Sequence, residues 1–262
     1  MYTFEFVKPM TVADAAKALA GGEAQALGGG QTLIPTLKAR LADPGTLVSL
    51  ANIDEMKYVR QGDGTVEIGG GTTHAMVAAA VADIYPGLAD LAGRIGDPSV
   101  RNRGTIGGSL ANNDPSACYP AAALGSGATI ITDRREIAAD DFFEGMFETA
   151  LDEGEIVTGV RFPIPQAARY EKMPQPASRF PLVAVYVARY ADAVRVAVTG
   201  ASNNGVFRWT AAEDALSASF SADAVAGLSH PSDDMIADIH GTAEYRAHLI
   251  GVMTKRAVAA IA

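Results

Sequence analysis

Cysteine occurs once in this chain of 262 residues, as Cys118. One thiol closes no internal disulfide, and an iron–sulfur cluster needs several thiolates, so any cluster chemistry must reside on another chain. Cations are the minority: 21 Lys and Arg face 30 Asp and Glu, a net charge of −9. That balance repels a phosphodiester backbone and argues against nucleic acid as a partner. A nucleotide cofactor stays open, because backbone N–H groups hold phosphates without help from net charge. Long apolar runs are also missing. The nearest, Pro181 to Ala188, falls far short of the ~18 residues a membrane span needs. Met1 to Pro9 has no basic region leading into an apolar core, so no signal peptide and no integral membrane segment are expected, and the expected location is cytoplasmic. The histidines, His74, His230, His240 and His248, form no i, i+4 pair, so no metal site is assigned. With no nucleophile–His–acid motif, no catalytic residue is assigned either.

Glycine is plentiful, at 27 residues, and it is clustered. Gly28-Gly29-Gly30 follows the short run Ala24–Leu27. Gly69-Gly70-Gly71 follows a strand-like Thr65–Ile68, and Gly104-Thr105-Ile106-Gly107-Gly108-Ser109 forms a third segment. Around them the apolar spacing predicts helices over Thr11–Ala20 (Thr11 as N-cap, Asp14 three residues on), Pro35–Leu41, His74–Ile84 and Tyr119–Gly125. Strands are predicted at Thr46–Leu50, Ala128–Thr132 and Glu155–Phe162. The prolines of Pro163-Ile164-Pro165 read as an extended connector and a unit boundary. Beyond them, Leu182–Tyr190 and Ala193–Ala201 are β-branched runs around a turn at Ala191-Asp192, which predicts an antiparallel hairpin. Gly205–Trp209 is a candidate third strand, and the last helix is expected over Thr242–Ile261. The fold class is therefore α+β: one α+β unit followed by a smaller antiparallel sheet backed by helices.

Successive glycines allow positive φ and let a ligand reach van der Waals contact with the main chain. Inward-turned N–H groups then form a nest for an anion such as a pyrophosphate. Gly28–Thr32 and Thr105–Ser109 each add a hydroxyl side chain. A lone glycine triplet more often marks a tight turn. Neither segment is a P-loop or a Rossmann fingerprint, so spacing alone says only that a phosphate ester is bound.

The residues themselves say more. Phe6-Val7-Lys8-Pro9, Leu27-Gly28-Gly29-Gly30-Gln31-Thr32-Leu33-Ile34-Pro35 and the run Val100-Arg101-Asn102-Arg103-Gly104-Thr105-Ile106-Gly107-Gly108-Ser109-Leu110-Ala111-Asn112-Asn113-Asp114-Pro115 resemble the FAD-binding medium subunits of molybdenum hydroxylases, the xanthine and aerobic carbon monoxide dehydrogenase family. The likeness continues through Glu155–Val160, Tyr170-Glu171-Lys172 and Ala177–Phe180, in order, over essentially the whole chain.

The resemblance implies an FAD fold of the vanillyl-alcohol-oxidase (PCMH) type over residues 1–165, in subdomains of about 1–55 and 56–165. A small antiparallel α+β domain of the carbon monoxide dehydrogenase flavoprotein type would follow over 169–262. It implies non-covalent FAD, with Leu27, Gly28, Gly29, Gly30, Gln31, Thr32 and Leu33 around the pyrophosphate. Thr105, Ile106, Gly107, Gly108 and Ser109 would give a second set of backbone and hydroxyl contacts. Asp114 lies in the loop that follows, and Ile156 and Lys172 match positions at the flavin half or its edge. Molybdopterin and [2Fe-2S] clusters are implied only on a large and a small partner subunit, the whole a dimer of heterotrimers. Two positions depart from the pattern: many members carry an acidic residue where Cys118 stands, and many have His or Asn where Gln31 stands.

For His74 the expected role is an ordinary surface or cap residue opening a helix. Cys118 reads as a small buried hydrophobe, Trp209 as core, and Glu171-Lys172 as a solvated strand-edge pair that the resemblance lifts toward the cofactor. Competing readings are a free-standing FAD oxidase or NAD(P)H-dependent reductase of the same fold, and a non-enzymatic scaffold whose nests hold nothing.

Overall fold

The computed structural model describes residues 1–262. The chain opens on a three-stranded sheet in which Thr46–Ser49 lies between Glu5–Val7 and Ala24–Leu27, both pairs parallel. Parallel neighbours need crossover connections. The first is the helix Val12–Leu19, capped as expected by Thr11, whose hydroxyl accepts from the Asp14 N–H, and anchored by buried Ala15 and Leu19. The second begins with the Gly28–Gly30 loop and the helix Leu33–Lys38. That helix starts two residues earlier than the proline suggested. Pro35 still falls in the first turn, where a missing N–H breaks no helical bond.

The second sheet is antiparallel, ordered Val59–Gly62, Thr65–Gly69, Val157–Pro163, Thr129–Thr132, Glu136–Ala138. Its first hairpin turns at Asp63-Gly64, both at positive φ, as a two-residue Asp-Gly turn demands. The strand Val59–Gly62 escaped the sequence reading because its outer residues are polar and exposed. The predicted His74–Ile84 helix stops at Ala80, and a second helix, Pro86–Gly93, begins with its proline in the first turn. Glycine-rich Ile106–Asn112 is also helical, with Thr105 as its N-cap.

The third sheet runs Ala167–Pro174, Pro181–Arg189, Val194–Ser202, Gly205–Arg208, all antiparallel. The hairpin is where the β-branched runs put it. The strand Ala167–Pro174, next to the proline connector, was not foreseen. Pro163 closes the preceding strand opposite Thr65, and pairing with a new partner begins at Ala167. Both faces of this sheet are covered. Ala184, Tyr186 and Ala188 point into a core shared with the helix Tyr119–Ser126 and the second sheet. The alternate residues Val183, Val185 and Val187 point toward the helices Thr210–Ala218 and Ala243–Ala259, with Trp209 in the same core. Small residues on the first face let a wholly buried helix approach closely: a Cβ at Gly125 would sit 3.1 Å from the Tyr186 ring. No helix is long and apolar enough to cross a membrane.

Candidate cofactor site

The strand Ala24–Leu27 ends where its backbone turns away from Thr46–Ser49, and the loop that follows leaves its amides free. From Gly28 through Leu33 no backbone N–H donates to any group of the chain; the next, Ile34, returns to the Gly30 carbonyl at 3.2 Å. Half-buried amides are almost always paired, so the free donors of half-buried Gly28, Gly29, Gly30 and Leu33 make a nest in need of acceptors, with exposed Gln31 and Thr32 completing the row. Glycine is required here by contact. A Cβ on Gly29 would lie 2.0 Å from the Arg103 carbonyl oxygen and 2.6 Å from the Gly104 Cα. On Gly28 it would lie 3.0 Å from the Thr105 hydroxyl. The first and third glycine segments therefore lie against each other and form one wall.

The third segment behaves differently from the expectation of a second amide nest. The Ile106 N–H donates to the Thr72 carbonyl at 3.1 Å and the Gly107 N–H to Gly70 at 2.9 Å. Gly108 is bonded to its N-cap, the Thr105 hydroxyl, at 3.2 Å, and Ser109 to the Thr105 carbonyl at 3.0 Å. What remains is the unpaired Thr105 N–H, hydroxyl groups and close approach: Thr105, Gly107, Gly108 and Ser109 line the cleft, whereas the Ile106 side chain is in the core. A Cβ on Gly107 would be 2.7 Å from the Gly70 carbonyl, so this pair of glycines keeps two backbones in contact. The triplet Gly69–Gly71 likewise spends its amides internally, on Tyr58, Thr158 and Met56.

The cleft has a volume of about 810 Å³, inside the ~300–1,000 Å³ usual for cofactor sites. Leu27 to Leu33, Asp114, Ile156 and Lys172 all line it. Ile156 and Lys172, expected together at the flavin half, stand on different walls. Ile156 packs with Val48, Ile53 and Met56 beside the first sheet. Lys172 belongs to the third sheet, with Nζ 3.0 Å from the Arg94 carbonyl and 3.7 Å from Cys118 Sγ. Strand alternation explains why Lys172 is no surface partner of Glu171: the Glu171 carboxylate turns to the other face and pairs with Arg169 at 2.8 Å. Burial pushes the Lys172 ammonium below the ordinary lysine value; the Cys118 thiol opposes this, while the Arg94 and Arg179 guanidiniums add to it. Asp114 is partly committed, accepting from the Ser116 N–H at 2.8 Å.

His74 is not a surface residue. Thr73 provides the N-cap, and the imidazole, 5% exposed, tilts against Tyr119 at 5.3 Å between centroids. Its Nδ1 has no partner, and a Cβ on Gly104 would press on its Nε2. Burial, with Arg101 nearby, lowers its pKa to about 4. Phe147 was missed altogether. It tops the hairpin Phe143–Thr149 at φ 59, is 57% exposed, and lines the cleft with Phe180. The hairpin is held by Asn113, whose Nδ2 donates to the Gly145 carbonyl at 2.7 Å and to the Glu148 carbonyl at 2.8 Å. No local pattern in the sequence links residues so far apart.

These features meet the needs of a dinucleotide: free amides for the diphosphate, glycine backbones for close approach, and a cleft large enough to hold it. Known proteins agree. Over 98% of its length the chain is 31% identical to the carbon monoxide dehydrogenase medium chain of Afipia carboxidovorans, covering 96% of that protein. It is 33% identical to the nicotine 6-hydroxylase medium subunit of Paenarthrobacter nicotinovorans, over 97% of this chain and 95% of the other. Among solved structures, quinoline 2-oxidoreductase from Pseudomonas putida 86 superposes with a TM-score of 0.87 at 28% identity, covering 98% of this chain and 96% of that one. Residues 2–165 match the FAD binding domain in molybdopterin dehydrogenase, and the chain belongs to that family.

Proposed function

We propose that this chain is the electron-relay subunit of a molybdenum hydroxylase complex of the carbon monoxide dehydrogenase type, holding FAD and oxidising no substrate itself. The unbroken row of free N–H groups from Gly28 to Leu33 carries the reading. Residues 1–165 form the FAD-binding part in this reading, and 169–262 a C-terminal domain. The Gly28–Leu33 amides would grip the diphosphate. Hydroxyls of Thr105 and Ser109 would add donors, and Ile156 and Lys172 would bound the two walls along which the nucleotide and the ring lie. FAD supplies the chemistry: it takes electrons singly and gives them up in pairs. The protein supplies binding, orientation and electrostatics.

The single cysteine leaves no [2Fe-2S] cluster on this chain; in this reading the clusters sit on a small partner subunit and molybdopterin on a large one, as the family resemblance implies. A dimer of such heterotrimers in the cytoplasm is the expected assembly. A direct test is to express the chain with its cysteine-rich and molybdopterin-binding partners. The three should copurify in equal amounts with the visible absorption of flavin, and that absorption should bleach when the molybdenum chain's substrate is added. A chain that stays colourless after incubation with FAD would sink the cofactor assignment. A yellow protein that turns over a substrate with no partner present would favour a free-standing oxidase or reductase instead.

A further inference from the structure

One corner of the cleft, lined by Lys172 and Cys118, carries a positive charge, and Tyr170 and Tyr119 are buried in the core behind it. Lys172 and Tyr170 stand two residues apart on one strand, so they share a face. Lys172 is 7% exposed, and its ammonium enters none of the chain's ion pairs. It has three protons to give, and the chain offers it the Arg94 carbonyl and the sulfur of Cys118. The Tyr170 hydroxyl is buried against that sulfur, and the Tyr119 hydroxyl of the adjoining residue has no hydrogen-bond partner. The nearby guanidinium of Arg94 is answered by Asp90 at 3.2 Å, and that carboxylate makes no ion pair with Lys172. A buried cation normally comes with its counter-ion; here the neighbour at the counter-ion's distance is a thiol.

Such a corner suits a group that presents acceptors and becomes more negative when reduced. A flavin ring does so: two electrons and one proton leave it with one added negative charge. We propose that Cys118, a thiol standing where a carboxylate would neutralise Lys172, leaves an uncompensated positive charge on the cleft wall and thereby raises the reduction potential of the bound flavin. The inference rests on the reading that FAD occupies this cleft. Attraction between the ammonium and the reduced ring favours the reduced form, and in a partly desolvated site it is only weakly screened.

The test is a spectroelectrochemical titration of the flavin absorbance in the FAD-loaded protein. Cys118→Asp, which sets a carboxylate beside Nζ, is expected to shift the oxidised-to-reduced ratio at fixed potential at least tenfold toward oxidised. For a two-electron couple that is a midpoint lower by about 30 mV. Lys172→Gln is expected to move it in the same direction. Cys118→Ser adds no charge and gives a smaller shift than either. A Cys118→Asp protein that binds flavin and keeps the parent potential overturns the proposal. Should that variant fail to accumulate, Lys172→Gln decides on the same two outcomes, since an unchanged potential there removes the charge from the account. Failure of the unaltered chain to take up flavin would instead strike the FAD reading itself.

Discussion

Gly29→Ala is expected to weaken FAD binding at least ~100-fold, about 2.8 kcal/mol, and to lower the stability of the protein lacking cofactor by about 3 kcal/mol. The cause is a single methyl group. Its position lies 2.0 Å from the Arg103 carbonyl oxygen, an atom of the backbone with no rotamer to yield. The two glycine segments would have to separate, and with them the row of amides from Gly28 to Leu33 would lose its common direction. Each charge-assisted bond from such an amide contributes about 1.5–3 kcal/mol, so losing two accounts for the binding deficit. Gly93→Ala is the control: the site is helical and nothing lies within 4 Å of the added carbon. Fluorescence titration with FAD and urea unfolding measure the two effects. Wild-type affinity in Gly29→Ala would show that the contact between the segments does not shape the nest.

Acidification should destabilise the protein well before its carboxylates titrate, and His74 is the reason. Its folded pKa is about 4, against ~6.5 for an unfolded histidine. Between those values the unfolded state carries the extra proton, so stability rises with pH there. The contribution is fully present above about pH 6.5 and is lost progressively down to about pH 4. At ~1.4 kcal/mol per unit the whole loss is about 3 kcal/mol. Glu155 follows at lower pH. Its hydrogen-bonded pairing with Arg135 leads the causes that lower its pKa to about 2, so its contribution is present above about pH 4.5 and disappears as pH falls toward 2. His74→Phe keeps a ring against Tyr119 and removes the titrating group. Urea unfolding at several pH values should show a flatter profile for the variant between about pH 6.5 and 4, with the lower limb unchanged. Parallel profiles in that interval would place the histidine's folded pKa near its unfolded one.

Much of this site was legible because its chemistry is local. The free-amide loop needs consecutive glycines after a strand, and Gly28-Gly29-Gly30 announces it. The third segment looked equivalent and is not, since whether an amide is free depends on which carbonyl lies opposite. Thr72 and Gly70, more than thirty residues earlier, claim the amides of Ile106 and Gly107. His74 was misread for the same reason: a histidine after a Thr-Thr pair suggests a helix start, but its burial comes from Tyr119 and Gly104. In the fold, the hairpin around Ala191-Asp192 was plain from its β-branched runs. The strand Ala167–Pro174 was hidden by the prolines before it and by its own charged residues, Arg169, Glu171 and Lys172, of which only the last turns inward.

The third sheet packs a core against each of its faces, and that constrains how the polypeptide can come apart. Cutting the chain near Pro165 would strip the alanine and tyrosine layer of Ala184, Tyr186 and Ala188 from the helix Tyr119–Ser126. Both fragments would then present a greasy scar to solvent, prone to clumping. Melting should accordingly register in the calorimeter as one endotherm, because the interior that the two portions share is lost to both when either lets go.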